Sequence, residues 1–303
     1  MIRLFVPGKL QDGVTIALGG DQAHYLRDVM RRSAGDEVAL FNAEDGEWRA
    51  IVAAVDRRGV ALTPRGRTRA WAEGPDLELI VAVIKRARLE TVVEKAVELG
   101  VRRVRLALTR YTQGDRVKME RLGAIAVEAA EQTGRLDVPE IVAPEKLGDI
   151  LDGWTDRLLI FCDEGGDALP MDAAMARQGV HSKPLPRTPT SAGAHSKPLP
   201  PRGEGVGDGG ASADVGDLAT NPIPRRDTPT PGPSPQGGGE AHAGLACSIL
   251  IGPEGGFSAE ERDRLRALPF VIPVSLGPRI LRADTAAMAA LVLWQSRLGD
   301  WSP

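Results

Sequence analysis

The sequence has little of what several classes of protein require. It contains only two cysteines, Cys162 and Cys247, and four histidines in 303 residues. Each cysteine lies in an apolar run, so we interpret both as buried small hydrophobic residues in a reducing compartment rather than as a disulfide framework. Three of the four histidines lie in or beside a low-complexity stretch. We therefore expect neither a disulfide scaffold nor a metal site.

Long hydrophobic runs and a strong net charge are also missing. Because no run of about 18 uncharged apolar residues occurs, and the start of the chain has no long apolar region, we expect neither a membrane span nor a signal peptide. We predict a cytoplasmic protein. The formal net charge is -3, which gives no overall sign of nucleic-acid binding. Any contact with RNA must therefore come from local basic patches.

The C-terminal part of the chain predicts two consecutive strand–loop–helix units. In the first, an apolar run at 249–251 breaks into a glycine-rich loop at 252–256, and Ser258 with Glu261 has the spacing of a helix capping box. In the second, a strand at 271–275 and a loop at 276–283 precede an apolar helix that ends near residue 298. Asp284 and Thr285 are its predicted caps.

Both loops are candidates for a ligand site, because ligands in open α/β sheets bind beyond the carboxyl ends of the strands. Glycines let a backbone approach a ligand closely, although Gly-Pro and Gly-Gly are also ordinary turn dipeptides that need no ligand. The first loop has neither G-x-G-x-x-G spacing nor the lysine and hydroxyl of G-x-x-x-x-G-K-[ST]. A nucleotide polyphosphate is therefore a poor candidate ligand.

Two motifs in this part of the chain carry a family resemblance. Gly-Pro-Glu-Gly-Gly at 252–256 and Leu-Gly-Pro-Arg-Ile-Leu-Arg-Ala-Asp-Thr-Ala at 276–286 occur together at this separation. The pair resembles the knotted-fold (SPOUT) methyltransferases, and specifically the RsmE-type 16S ribosomal RNA uracil-N3 methyltransferases. The chain departs from that family at Asp284, where the family commonly has Glu.

The resemblance implies an α/β fold in which a C-terminal knotted SPOUT methyltransferase domain with a parallel sheet follows a small PUA-like β-barrel. Family members hold S-adenosylmethionine in a trefoil knot formed by the two loops, and they are homodimers with active sites at the interface. The implied substrate is a uridine of 16S ribosomal RNA in the small ribosomal subunit. The implied cofactor-binding residues are Ile251, Gly252, Gly255, Gly256, Ser275, Leu276, Gly277, Ile280 and Leu281.

Residues 1–72 predict the small β-barrel, because five short β-like runs are separated by glycine or Asp-Gly turns, with one helix at about 21–30. An arginine-rich stretch at 57–69 is either a solvated face or a phosphate-binding surface. His24 lies in a stretch that matches the family's opening motifs but is more simply a structural histidine. Residues that the resemblance or their position makes candidates for RNA binding are Arg3, Arg27, Arg31, Lys85, Arg88, Gln132 and Arg135. Arg135 also fits a cation at a helix C-terminus.

Residues 76–303 alternate between apolar strand-like runs and helical segments, which predicts crossover connections and a parallel sheet. The predicted methyltransferase domain is interrupted at 171–244 by a stretch rich in proline, glycine and serine with a repeated His-Ser-Lys-Pro-Leu-Pro segment. We interpret this stretch as a disordered insertion, because it has too few large apolar residues to offset the entropy of ordering. The rival hypothesis, an RNA-binding tail, has no aromatic side chain for stacking on bases.

Methyl transfer suits a chain that has no G-x-S-x-G elbow and no Cys–His pairing for covalent hydrolysis. The methyl donor is already activated, so the protein has to position the nucleophile and remove one proton, here the N3 hydrogen of uracil. The candidate catalytic residues are Arg279, Arg282 and Glu254, although the arginines could instead form salt bridges with Asp284 or Glu254. The sequence does not identify the general base, nor whether free RNA or an assembled subunit is the substrate.

Two alternatives to the implied reaction stay open at this point. The same fold and cofactor could act on another RNA, since the loops specify the cofactor more than the base. The chain could also be a non-catalytic RNA-binding or ribosome assembly factor on the same scaffold, which the change to Asp284 and the long insertion would favour.

Overall fold

A computed structural model describes residues 1–112, 116–155, 157–165, 167–177 and 246–301. Most of the predicted insertion at 171–244 lies outside these residues. Its first seven residues correct the prediction, because Met171–Arg177 form a helix that buries Met171, Ala174 and Met175. These three apolar side chains lie on one face of a two-turn helix and pack it against the core. The prediction missed this helix because it was made from the average composition of the whole stretch.

The N-terminal part of the chain forms a five-stranded sheet in the order β1-β3-β4-β5-β2. Strand β1 runs parallel to β3 and the other neighbours are antiparallel. The strands are β1 (Arg3–Phe5), β2 (Ile16–Leu18), β3 (Glu37–Asn42), β4 (Gly46–Val55) and β5 (Val60–Arg69). Helix α1 (Gly20–His24) continues as a π-helical turn over Tyr25–Val29. All five predicted β-like runs and the predicted helix are found.

Alternation of apolar and polar residues explains this sheet, because it places one set of side chains in a common core. That core contains Leu4, Leu26, Leu40, Val52 and Leu62, each at most 2% exposed. On the opposite face of β4 and β5, the exposed residues are Arg49, Ala53, Arg65, Arg67 and Arg69.

The rest of the described chain forms a six-stranded, wholly parallel sheet in the order β11-β9-β10-β6-β7-β8. The strands are β6 (Leu77–Ala82), β7 (Arg103–Leu108), β8 (Glu140–Lys146), β9 (Leu158–Cys162), β10 (Cys247–Ile251) and β11 (Val271–Val274). The predicted parallel sheet is confirmed. Because all strands point the same way, their carboxyl ends share one edge of the sheet, and their connecting loops meet there.

Helices cover both faces of this sheet. They are α2 (Arg86–Glu98), α3 (Met119–Thr133), α4 (Leu147–Asp152), α5 (Met171–Arg177), α6 (Ala259–Ala267) and α7 (Ala283–Arg297). One core contains Leu79, Val81 and Ile249 with α2, α3, α5 and α7, and the other contains Ile80 and Leu250 with α4 and α6. Odd and even strand positions therefore serve different faces, which is why these strands read as continuous apolar runs.

Three elements differ from the sequence prediction, α7 at its N-terminal end and β8 and α4 in their existence. Helix α7 begins at Ala283 with Arg282 as its N-cap and no side-chain cap, whereas the Asp284 carboxylate accepts the N–H of Thr285 at 2.9 Å. The predicted cap at Asp284 is thus wrong. Strand β8 and helix α4 were not predicted, because β8 is an edge strand whose side chains are all at least partly exposed.

Both cysteines lie in the central sheet as buried thiols, Cys162 in β9 and Cys247 in β10, and neither forms a disulfide. Burial raises the pKa of the Cys162 thiol well above its usual range and that of Cys247 to about 12. Within the described ranges, no helix combines the length and apolar character that a bilayer crossing requires. No cluster of three or more His, Cys, Asp or Glu side chains suited to a metal is found in the same ranges.

Candidate active site

A cavity of about 470 Å³ opens at the carboxyl ends of β9 and β11. One wall is the segment that follows β9, the other is the loop that follows β11, and Ala286 of α7 also lines the cavity. The lining residues are Cys162, Asp163, Glu164, Ala168, Pro170, Ser275, Leu276, Gly277, Pro278, Arg279, Ile280, Leu281 and Ala286. Its volume lies in the range that holds a small-molecule cofactor.

The two walls are joined by backbone hydrogen bonds. The Ser275 N–H donates to the Leu169 carbonyl at 2.8 Å, and Pro170 and Ser275 form a parallel β-bridge. The Gly277 N–H donates to Ser275 Oγ at 3.2 Å and closes a turn in which Gly277 has φ of 115°. A side chain at Gly277 would meet no described atom within 4 Å, so this stretch of backbone faces open space.

The glycine-rich loop that follows β10 lies beside this cavity but does not line it. Gly256 has φ of 69°, and its N–H donates to the Pro253 carbonyl at 2.9 Å. The predicted capping box is confirmed, because Ser258 Oγ accepts the Glu261 N–H and the Glu261 carboxylate accepts the Ser258 N–H. The structure therefore places Ser275, Leu276, Gly277, Ile280 and Leu281 in the cavity wall. The other predicted cofactor residues, Ile251, Gly252, Gly255 and Gly256, lie outside it.

These glycines are needed for close packing within the protein. A Cβ at Gly256 would lie 1.9 Å from Glu164 Oε1, and one at Gly252 would lie 2.6 Å from the Phe257 ring. The N–H of Phe257 donates to Glu164 Oε1 at 3.3 Å. The loop after β10 therefore contacts the cavity through Glu164, which belongs to the neighbouring strand's loop.

Glu164 is the site residue that sequence reasoning missed. Its side chain is 33% exposed, and burial raises its pKa above the ordinary value, aided by the nearby Asp163 charge. The Phe257 N–H and the Arg262 charge act in the opposite direction. The sequence contains a signal for this residue. Asp163-Glu-Gly follows an apolar strand, as the glycine-bearing loops at 252–256 and 276–283 do.

Asp163 is a buried carboxylate whose oxygens are both engaged by the protein. Its Oδ1 accepts the Gly165 N–H at 2.9 Å and lies 3.2 Å from Arg262 Nε, while Oδ2 accepts from Arg266 Nε at 2.8 Å. Arg266 also pairs with Asp167 and lowers the pKa of that exposed carboxyl to about 2. This network holds the segment after β9 against α6.

The three candidate catalytic residues have different surroundings. Arg279 lines the cavity and Arg282 is the N-cap of α7, and both are exposed. Among the described acids, none lies within ion-pairing distance of either arginine, so the alternative of salt bridges to Asp284 or Glu254 is not realised. Glu254 pairs instead with Arg88 at 3.0 Å and lies outside the cavity lining.

Two candidates for RNA binding have structural roles. Arg3 donates to Glu47 at 2.7 Å and to three backbone carbonyls in the last turn of α3 and just beyond it, and its guanidinium lies 4.3 Å from the Phe41 ring centroid. Arg135 donates to the carbonyls of Val97 and Val101 and pairs with Asp137. Their side chains are only 14% and 13% exposed. Neither guanidinium is free for a phosphate.

The other candidates for RNA binding are accessible. Arg31, Lys85 and Gln132 are exposed, whereas Arg27 pairs with Asp28 at 2.7 Å. Arg88 is partly exposed and is held by Glu254.

A group of cations lies where α2 and α3 begin, at the carboxyl ends of β6 and β7. We call this surface the basic edge, and its members are Lys85, Arg86, Arg88, Arg116, Lys118 and Arg121. Glu90 pairs with Arg86 at 2.7 Å and lies 3.8 Å from Arg121. Lys85 and Lys118 are the N-caps of α2 and α3, and neither provides a side-chain cap. Among the described acids, none pairs with Lys85, Arg116 or Lys118.

Comparison with known families identifies two regions of the chain. A family model described as an RNA methyltransferase domain matches residues 72–183 and 238–295, and one described as an RNA methyltransferase PUA domain matches residues 18–64. The first match covers more than half of the chain.

Curated relatives with the name ribosomal RNA small subunit methyltransferase E are similar over nearly their whole length. The protein from Rickettsia conorii is 24% identical over 95% of this chain and 93% of its own. The protein from Bacillus subtilis is 23% identical over 93% of this chain and 90% of its own.

Solved structures share the fold. The ribosomal RNA small subunit methyltransferase E from Neisseria gonorrhoeae, bound to S-adenosyl methionine, gives a TM-score of 0.67 at 19% identity and covers 100% of both chains. A putative methyltransferase from Legionella pneumophila, also in complex with that cofactor, gives 0.66 at 23% identity and covers 97% of both chains. At these identities the likeness establishes a common architecture.

Proposed function

Because this chain belongs to the RNA methyltransferase family, we propose that it transfers a methyl group from S-adenosylmethionine to N3 of a uridine in the 16S ribosomal RNA of the small subunit. The names of the relatives from R. conorii and B. subtilis support the ribosomal substrate. The observation that carries the proposal is the cavity at the carboxyl ends of β9 and β11, which has the size and position for a methyl donor beside exposed cations.

The residues of the cavity fit an adenosyl cofactor. Leu276, Ile280, Leu281 and Ala286 supply apolar surface for an adenine ring, and the open space at Gly277 lets the ligand approach the backbone. When bound, S-adenosylmethionine supplies a methyl group already activated by its sulfonium. Two solved neighbours of this fold contain the cofactor.

Methylation of the uridine requires removal of one proton, because N3 carries a hydrogen that must leave before the N3 lone pair can attack the methyl group. A cation beside the uracil oxygens stabilises the negative charge that develops as the proton departs. Arg279 has this position in the proposal, since it is a cation of the cavity wall with which no described acid pairs, and Arg282 lies three residues further along the chain. Glu254 is the weaker candidate, since Arg88 holds it outside the cavity lining.

We propose that the RNA backbone follows the basic edge. In the sheet order, β10 separates the strand ends next to the cavity from those of β6 and β7, so the basic edge lies a few strand spacings from the cavity, each about 4.8 Å. Lys85, Arg116 and Lys118 can each neutralise a phosphate without first breaking an ion pair to a described acid. The target uridine must be unpaired or flipped out, because its N3 edge is paired in duplex RNA.

The finer features implied by the family belong to the same proposal. They are a trefoil knot formed by the loops after β10 and β11, a cytoplasmic location and a homodimer. Val292 and Leu293 on α7 are 40% and 39% exposed, and Ile280 beside the cavity is 86% exposed. Exposed apolar side chains of this kind favour a second copy of the chain as the partner that covers them.

Two measurements test the proposal. Titration calorimetry should show binding of S-adenosylmethionine by the purified chain. Mass spectrometry of 16S RNA nucleosides from a deletion strain should show that N3-methyluridine is lost and is restored by this chain but not by an Arg279→Ala variant.

The outcomes separate the alternatives. Cofactor binding with an unchanged 16S profile and loss of a methylated nucleoside elsewhere would assign another RNA as the substrate. Absence of cofactor binding together with an unchanged profile would instead favour a non-catalytic assembly factor.

A further inference from the structure

Few polar side chains in the cavity wall have atoms left for a ligand. Both oxygens of Asp163 are engaged by Arg262, Arg266 and the Gly165 N–H. Ser275 Oγ is held in the turn with Gly277. Glu164 and Arg279 remain, and they are the only charged side chains of the described lining that keep an unengaged polar atom.

Glu164 is held in place at one oxygen and free at the other. Oε1 accepts the Phe257 N–H at 3.3 Å and lies 3.6 Å from Arg262 Nη2. Among the described residues, no other residue donates a hydrogen bond to Oε2, although the carboxylate also interacts with its own backbone N–H. The Glu164 carboxylate occupies space that a side chain at residue 256 would need. A Cβ at Gly256 would lie 1.9 Å from Oε1 and 3.7 Å from Oε2.

The Glu164 carboxylate can accept hydrogen bonds from a ligand in the cavity. It belongs to the cavity lining, its side chain is 33% exposed, and the Phe257 N–H occupies only Oε1. Within an adenosyl cofactor, the ribose offers two adjacent hydroxyl donors. An acidic side chain at the end of a parallel strand is a known solution for binding a ribose hydroxyl in other α/β proteins.

We infer that Glu164 recognises the ribose hydroxyls of the adenosyl cofactor through its carboxylate, and that Gly256 is glycine because the carboxylate must occupy the place of its side chain. This inference rests on the proposed cofactor. It assigns a binding role to a residue outside the two glycine-bearing loops. It also explains why the loop after β10 matters to a cavity that it does not line.

The test is a cycle of variants and ligands measured by titration calorimetry. The probes are S-adenosylhomocysteine, which is the demethylated cofactor, and its 2′-deoxy and 3′-deoxy analogues. The wild type should bind at least one deoxy analogue about 10- to 100-fold more weakly than the parent, as expected for a hydrogen bond to a charged group. Glu164→Ala should bind the parent more weakly by a similar factor and should no longer discriminate against that analogue.

Two further variants make the cycle specific. Glu164→Gln keeps the shape and one acceptor, so it should bind the parent with intermediate affinity and discriminate less than the wild type. Glu260→Ala removes an exposed carboxylate of α6 outside the cavity and should leave all affinities unchanged. Thermal unfolding establishes that each variant is folded, and the glutamine variant keeps the test valid if the alanine variant is not.

The results that overturn the inference differ from those that overturn the proposed function. If Glu164→Ala discriminates against the deoxy analogues as strongly as the wild type does, Glu164 does not contact the ribose. If Glu164→Ala binds every ligand normally but loses methylation in a single turnover, the carboxylate acts on the uridine proton instead. A wild-type chain that binds no adenosyl ligand at all would refute the proposed cofactor.

Discussion

At the scale of single residues, the site depends on one glycine and one glutamate that are far apart in sequence. Gly256 has φ of 69°, a conformation that costs a residue with a side chain about 1–2 kcal/mol. Its second constraint is steric, since Glu164 Oε1 would lie 1.9 Å from a Cβ. Gly277 has the same conformational constraint, with φ of 115°. It has no steric constraint, because a Cβ there would meet no described atom within 4 Å.

These two glycines give a matched pair of substitutions. Gly256→Ala should lower the free energy of unfolding by about 2 kcal/mol or more and weaken cofactor binding, because the Glu164 carboxylate must move. Gly277→Ala should cost only the backbone strain, about 1–2 kcal/mol. Urea unfolding and calorimetry of both variants measure the difference.

A second substitution separates strain from the steric conflict. Glu164→Ala removes the side chain that a Cβ at 256 would meet, so adding Gly256→Ala to it should cost less stability than adding Gly256→Ala to the wild type. Strictly additive losses would mean that Glu164 is not what limits residue 256.

At the scale of elements, the C-terminal end of α3 is where the N-terminal sheet meets the parallel sheet's helices. The last carbonyls of a helix have no partner within it, and here Arg3 of β1 donates to the carbonyls of Ala130 and Glu131 in α3 and of Arg135 just beyond its end, at 2.6–2.9 Å. In return the Glu131 carboxylate accepts the Phe5 N–H at 3.0 Å. A cation at this end also interacts favourably with the helix dipole.

Substitution of Arg3 tests whether it is structural or contacts RNA. Arg3→Ala should destabilise the protein by about 3 kcal/mol, because Glu47 and the carbonyls of α3 lose a largely buried partner. Arg31→Ala, at an exposed position, should change stability by less than about 0.5 kcal/mol. If Arg3→Ala kept its unfolding midpoint and lost only RNA affinity, the structural role would be refuted.

Glu131 predicts a pH dependence of stability. Burial raises its pKa, with the neighbouring Glu128 adding to the effect. Between the ordinary carboxyl pKa, about 4.3, and the raised value, the folded state binds more protons than the unfolded state, so stability falls as pH rises through this window. Glu131→Gln keeps an acceptor for Phe5 without the charge. It should therefore gain stability relative to the wild type as pH increases from 4 to 8.

Urea unfolding across that pH range measures the effect, and Glu120→Gln at the exposed start of α3 is the control. The control should not reproduce the divergence. Parallel curves for the wild type and Glu131→Gln would show that Glu131 titrates alike in both states.

At the scale of the whole molecule, six cations form the basic edge at the carboxyl ends of β6 and β7 although the net charge of the chain is -3. The double variant Lys85→Ala/Lys118→Ala removes two cations of the basic edge that pair with no described acid. We expect RNA affinity to fall about tenfold and the slope of log affinity against log salt to decrease by about 2, one for each lost phosphate contact.

The matched control removes the same charge from the opposite edge of the sheet. Arg102 and Arg103 lie at the amino-terminal end of β7 and pair with Glu73 and Glu140. Arg102→Ala/Arg103→Ala should leave the salt slope nearly unchanged. Equal losses in both double variants would mean that overall charge, rather than the basic edge, controls binding. Filter binding of a 16S RNA fragment at several salt concentrations distinguishes the two results.

Much of the architecture was predictable because short segments of the sequence specify it. Strands β6, β9 and β10 are short apolar runs, and Ser258 with Glu261 specifies the start of α6 through a hydrogen-bonded pair three residues apart. Such features need only neighbouring residues, so they can be read without knowledge of the fold. Strand β8 escaped prediction because an edge strand with a polar face lacks this apolar signal.

The sequence by itself determined most of the strands and helices, with β8, α4 and α5 as exceptions, together with the two motif-bearing loops and the family to which they point. Only the tertiary structure decided which loops share a cavity, because parallel strands buried on both faces have nearly the same apolar pattern and do not encode their neighbours. The order β11-β9-β10 places Glu164 beside Gly256 and opposite Leu276, and it leaves the glycine-rich loop outside the cavity wall. The role of Glu164 likewise arises from Phe257, 93 residues away, and that of Arg3 largely from carbonyls 127 to 132 residues away, which no local pattern contains.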